Sequence, residues 1–332
     1  MFVLAPILSL ALAIEIALGL WFGLVITRAF ELPAAWCPVG VPVVLLGVPL
    51  AATLLSFLVA MPFRHAHESG SRLGPWRGLR WFVRELVALS ALYLLLQPFE
   101  RCFVRSPVPE GRRGTVRPVI LLHGIYCNAA SWWWMRRRLD SCGIGPVYAL
   151  DVEGPLSSID SYAQQLARFI GQVRAATGAE RVVLVGHSMG GLVARACIAR
   201  PGLAPQVEKL LTLGTPHHGS RHARLGVGEN SRQLEADSDW LRRLNADPGS
   251  MAVPIVSVYS RHDNFVAPQE SAALAGAKLI ALDGVGHLAL LFDRAVGGLL
   301  CDEIGQAAPG FTRPPGNATQ QTATGPAAAG QP

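Results

Sequence analysis

The spacing of apolar and polar residues changes character along this chain. Residues 1–27 are nearly all apolar, with Glu15 as the one charge, and residues 39–63 form a second apolar run that holds Pro42 and Pro49. Each is long enough to cross a bilayer, which takes about 20 residues, and membrane helices tolerate proline better than soluble ones do. The short stretch between them carries Arg28, Glu31, Pro33 and Pro38. Residues 1–63 therefore read as a transmembrane helical hairpin. No basic region precedes the first run and no small-residue cleavage site closes it, so a retained anchor is expected rather than a removed signal peptide. A third apolar stretch, 81–99, is different. Its uninterrupted part, 86–96, is too short to span, while Arg84, Glu85, Trp76 and Trp81 suit an interface. It reads as an amphipathic surface helix inside a basic juxtamembrane segment, 64–114, with a third span as the alternative.

From Val116 the pattern becomes one of short aliphatic runs alternating with helical spacing. Strands are expected at 119–122, 147–150, 182–185, 207–213, 253–259 and 278–282, with helices over 131–139 and 159–176 and from about Leu288. Repeated βα units imply an α/β fold with a mostly parallel sheet and helices on both faces, over 115–305. In such sheets the working residues sit at the C-terminal strand ends. The stretch 218–248 lies between strands, and Leu234, Trp240, Leu241 and Leu244 in it fit a small amphipathic cap or lid. Residues 306–332, rich in Gly, Pro, Ala, Thr and Gln, read as a disordered tail.

Composition agrees with membrane-embedded segments: 51% of residues are hydrophobic and only 16% charged. The formal net charge of +6 does not point to nucleic acid. The arginines form no aromatic-interleaved stripe and match no nucleic-acid module; many flank the apolar runs, where anionic lipid attracts them. With two spans, the positive-inside rule puts the catalytic domain in the cytoplasm; with three, the arginines divide evenly and a periplasmic domain stays open. The six cysteines (37, 102, 127, 142, 197 and 301) show no C-x-x-C spacing and read as reduced packing residues.

The chemistry centres on Gly186-His187-Ser188-Met189-Gly190-Gly191, set between a strand and a helix. A serine on such a turn is exposed at the strand end, and the helix start behind it offers free N–H groups to a developing anion. A serine needs a base, and the base needs an orienting carboxylate. Asp263 follows one later strand and His287 the next. His217, His218, His222 and His262 form no metal-binding pattern, and no metal or other cofactor is assigned. His187 and His217 read as packing residues, His217 near the serine turn, and His218 as lying near the pocket wall. Trp132-Trp133-Trp134 reads as part core and part membrane interface, with acyl-chain binding open.

Taken together, His123-Gly124-Ile125, the serine elbow, Leu213-Gly-Thr-Pro-His-His-Gly-Ser220, Tyr259-Ser-Arg-His-Asp263 and Gly286-His287 resemble the bacterial lipase and esterase branch of the α/β-hydrolases over about residues 116–300. The resemblance implies an α/β-hydrolase fold with a compact six-stranded core. It also implies Ser188 as nucleophile, His287 as general base and acid, Asp263 as orienting acid, and an oxyanion hole from the backbone N–H of Ile125 and Met189. Relatives of this kind often hold calcium; no acidic pair can be assigned to it here. The expected protein is a serine hydrolase of carboxylic esters in the bacterial inner membrane, acting on lipids or other apolar acyl compounds. Acyl-thioester hydrolysis or acyl transfer by the same triad is the alternative, and a non-catalytic membrane-bound binding protein of this fold the more distant one.

Overall fold

The computed structural model describes residues 4–63, 73–104 and 117–306. The tail expected over 306–332 lies, past Gln306, outside the described residues, as do 64–72 and 105–116. Two long apolar helices lead the chain, α1 (Leu4–Ala29) and α2 (Gly40–Ala60). They pack against each other, and they are long and apolar enough to cross a membrane. Large apolar side chains such as Leu10, Trp21, Leu46 and Leu58 face outward with no protein over them.

Next comes α3 (Pro75–Ser90), continued by one wider-wound segment, Ala91–Leu96, and a short α4 (Glu100–Phe103). Its polar and apolar faces are strongly segregated, as its sequence predicts. One apolar stripe is buried in protein, where Ala88, Leu89, Leu92 and Leu96 join the core beneath the sheet, while Trp76, Leu79, Val83 and Val87 stay exposed. The later part of this segment thus packs against the sheet. The physical reason is simple. An apolar stripe too short to span gains as much from a sheet face as from lipid. At its start α3 also receives α2, with the rings of Phe57 and Trp81 4.2 Å apart.

The remaining elements follow the predicted alternation: β1 (Val119–Leu122), α5 (Trp133–Ser141), β2 (Val147–Leu150), α6 (Ile159–Thr177), β3 (Val182–His187), α7 (Met189–Ile198), β4 (Val207–Leu213), α8 (Glu229–Gln233), α9 (Asp239–Ala246), β5 (Ile255–Ser260), β6 (Lys278–Leu282) and α10 (Arg294–Gly305). The six strands are all parallel in the order β2-β1-β3-β4-β5-β6. Alternate strand residues feed two cores. Ile120, Leu122 and Leu184 pack against α6, α7 and α9 on one face. Val119, Leu121, Val183 and Val185 pack against α3, α5 and α10 on the other. This two-sided burial explains why the strands read as continuous aliphatic runs.

In the stretch 218–248, Leu234, Trp240, Leu241 and Leu244 are buried in the first core. One expectation needs correction. The cysteines are not all reduced: Cys142, at the end of α5, and Cys301, on α10, form a disulfide. They are 159 residues apart and meet only because these two helices pack side by side, which spacing in the chain does not reveal.

Candidate active site

The serine turn is built as the motif requires. Ser188 adopts φ 53° and ψ −124° between β3 and α7. A non-glycine residue at positive φ costs on the order of 1–3 kcal/mol and persists only where the surroundings over-determine it. Here they do. A Cβ at position 190 would lie 2.3 Å from the Leu122 carbonyl oxygen, so only glycine lets β1 pass so close to α7. Ser188 N–H donates to Leu213 O at 2.9 Å, which fixes the turn to β4. The N–H of Met189 heads α7, where helix geometry supplies no partner. The Gly124–Ile125 backbone passes directly against the serine: a Cβ on Gly124 would sit 3.0 Å from Ser188 Cβ.

His287 and Asp263 meet on loops beyond β6 and β5. His287 Nδ1 lies 2.8 Å from Asp263 Oδ2, and both residues are buried. The other carboxylate oxygen, Oδ1, accepts from the N–H groups of Phe265 and Val266, each at 2.8 Å. An acceptor locked in this way selects the imidazole tautomer with its proton on Nδ1 and leaves Nε2 basic. Burial opposes a charge on His287, yet the Asp263 carboxylate, by charge and hydrogen bond, and the nearby Glu85 carry its pKa above the usual histidine value. His187 behaves oppositely. Burial, then the proximity of His287, push its pKa well down, so it is a neutral ring whose Nε2–H donates to the His287 carbonyl at 3.1 Å.

Ser188, His187, His287 and Ile125 line one predominantly apolar cavity of about 300 Å³. Its walls come from three places. The strand-end loops carry the residues just named; the cap region adds His222, Leu225 and Leu234; and α2 and the α3 segment add Ala52, Leu55, Ser56, Leu89 and Tyr93. Other candidates fall elsewhere. His217 is buried between Thr212 and Arg195, near the elbow as expected. His218 is exposed and is not among the residues that line the cavity. Trp132 is buried with its ring edge-on to His187, while Trp133 and Trp134 pack on the second core, and none of the three lines the cavity.

Several contributors escape the sequence pattern. Asn264 Oδ1 accepts the N–H of His287 at 3.0 Å, and its Nδ2 donates to Ser56 Oγ on α2 at 2.8 Å. His222 Nε2–H donates to the Ser56 carbonyl at 3.1 Å. Glu85 is fully buried, with Oε1 and Oε2 accepting from the N–H groups of Leu288 and Ala289. A carboxylate within an apolar helical stripe was the one available signal, and it reads equally well as an interfacial charge.

A family model described as a PGAP1-like alpha/beta domain matches residues 154–274, a span that includes Ser188 and Asp263 and ends before His287. The solved structure of Aspergillus fumigatus lipase B superposes with a TM-score of 0.57 at 15% identity, covering 79% of this chain and 82% of that one. The chain has an α/β-hydrolase fold. A triacylglycerol lipase of Pseudarthrobacter phenanthrenivorans is 40% identical over 115 residues, 32% of this chain and 35% of that protein. A GPI inositol-deacylase of Candida albicans is 31% identical over 107 residues, 32% of this chain and 23% of that protein. The chain thus spans about a third or less of the length of these curated relatives.

Proposed function

We propose that this α/β-hydrolase is a membrane-anchored serine hydrolase that cleaves carboxylic esters of lipids or similar apolar acyl compounds. One observation carries the reading: Ser188 on its strained elbow shares an apolar cavity with His287, which is held through Nδ1 by a buried Asp263. His287 Nε2 takes the proton of Ser188 Oγ as Oγ bonds to the ester carbonyl carbon. The N–H groups of Ile125 and Met189 receive the charge that develops on the carbonyl oxygen. Collapse expels the alcohol, protonated by His287, and leaves an acyl-serine. Water, deprotonated by the same nitrogen, then releases the acid and restores the serine. No metal ion or cofactor enters this sequence.

The lipid preference rests on the apolar lining and on α1 and α2, whose bare apolar surfaces suit a bilayer. The Cys142–Cys301 disulfide favours an oxidising compartment for the catalytic domain, against the cytoplasmic side that the arginine count suggests, because cytosolic thiols are kept reduced. A chain-length series of esters beside the matching thioesters tests the substrate class. Turnover rising with acyl length on the esters supports the reading. Turnover of short, water-soluble acyl groups alone would end the lipid assignment, and preference for thioesters would move it to the alternative.

A further inference from the structure

Three consecutive backbone N–H groups around the catalytic-site histidine are each tied to a side chain, and none of the ties is generic loop packing. The N–H of His287 goes to Asn264, whose amide is held in turn by Ser56 on α2. The N–H groups of Leu288 and Ala289 go to the two oxygens of Glu85, at 3.0 and 2.9 Å. Glu85 comes from α3, about two hundred residues earlier in the chain, and is 1% exposed. The loop is shaped to admit it: a Cβ at Gly286 would lie 2.2 Å from Glu85 Oε2, so glycine is needed at 286 for the carboxylate to reach the next two amides. A carboxylate this deep is costly unless its oxygens are used, and here each oxygen receives an N–H.

We propose that Glu85 is a positioning residue for the general base, a second buried carboxylate that fixes the backbone carrying His287 while Asp263 fixes its ring. The segment that follows the apolar hairpin is then part of the catalytic machinery. This rests on the serine-hydrolase reading above. Two consequences separate the role from ordinary packing. Misplacing the base lowers the chemical step and leaves substrate binding, which the cavity walls provide, nearly intact. Burial raises the pKa of Glu85 itself, while the Leu288 and Ala289 N–H groups and His287 oppose that rise; once ionised, its negative charge supports the protonated form of His287. The titratable groups facing His287 are Asp263 from the loop after β5, Glu85 from α3, His187 from the elbow and His222 from the cap region, and of these only the two carboxylates favour the charged ring.

The test uses the full-length protein in detergent, with Glu85→Gln and Glu85→Ala compared with the wild type on one long-chain ester, each rate divided by the sites titrated with a fluorophosphonate. Both variants should lose about tenfold or more in kcat per labelled site with KM changed less than about twofold. In Glu85→Gln the acid limb of the pH–rate profile should move to lower pH. Gly286→Ala should lower kcat in the wild-type background and add little in the Glu85→Ala background, where the obstructing carboxylate is gone. An unchanged kcat per labelled site and an unmoved acid limb in Glu85→Gln, beside an active wild type, would overturn the proposal alone. A loss confined to the number of labelled sites would also overturn it, since that is a folding role. A wild type that neither labels nor turns over would overturn the hydrolase reading and this proposal with it.

Discussion

Asn264 Nδ2 and Ser56 Oγ lie 2.8 Å apart, so the residue beside Asp263 is held by the second apolar helix of the chain. Ser56 Oγ in turn donates to the Thr53 carbonyl at 2.7 Å. The loop carrying Asp263 and the hairpin thus share a buried polar contact. Replacing Ser56 with alanine leaves the Asn264 amide without this acceptor and should cost about 1–3 kcal/mol of stability. Thermal unfolding in detergent measures it; an unchanged midpoint would show that the contact contributes nothing.

Asp263→Asn should be far more severe for turnover than for folding. The amide still fits, but it no longer demands a proton on His287 Nδ1, so the wrong tautomer becomes available. A fall in kcat of roughly a thousandfold or more is expected, by analogy with the loss of an orienting aspartate elsewhere. Steady-state ester hydrolysis checks it, and a decrease of less than tenfold would remove Asp263 from this role.

The pH dependence follows from the direction of the His287 shift. Burial lowers its pKa, but Asp263 and Glu85 outweigh burial and raise it above the usual value near 6.5. In the proposed reaction the neutral ring takes the serine proton. Activity should therefore fall as pH drops through a value above 6.5, and kcat/KM plotted against pH should show that limb. The stability effect has the opposite sense: a raised folded pKa contributes stability in full below the unfolded value and loses it as pH rises through the folded one.

The disulfide between α5 and α10 closes a loop of 159 residues. Cys142→Ser should lower stability by about 2–5 kcal/mol under oxidising conditions and have no effect under reducing ones. Peptide mapping without reductant should recover the linked pair from protein made in its own membrane. A cytoplasm-only reporter fused after Gly114 should be silent, and an active one would restore the side that the arginine count suggests.

Much of this was legible from spacing. The strands at 119–122, 147–150, 207–213 and 278–282 appear at the predicted residues, because a parallel strand buried on both faces is a short aliphatic run bounded by turns. That the serine elbow, Asp263 and His287 converge was readable because each follows the C-terminal end of a strand in one parallel sheet. What the pattern hid is long-range. Glu85 looks like an interfacial charge until α3 docks under the sheet, and Ser56 is an ordinary residue of an apolar helix until Asn264 reaches it. Cys142 and Cys301, likewise, are unremarkable until two helices pack. In each case the partner is set by tertiary contact, which local periodicity does not encode. The histidines at 217, 218, 222 and 262 show the converse: His217 lies between Thr212 and Arg195, His218 is exposed, His222 bonds the Ser56 carbonyl and His262 packs against Trp81.

The central claim is that Ser188 is the nucleophile. A fluorophosphonate probe applied to native membranes, followed by peptide mapping, tests it most directly. The expected result is one adduct on Ser188, lost in Ser188→Ala while the variant still assembles in the membrane. No labelling of the intact wild type, or labelling that persists in Ser188→Ala, would contradict the account.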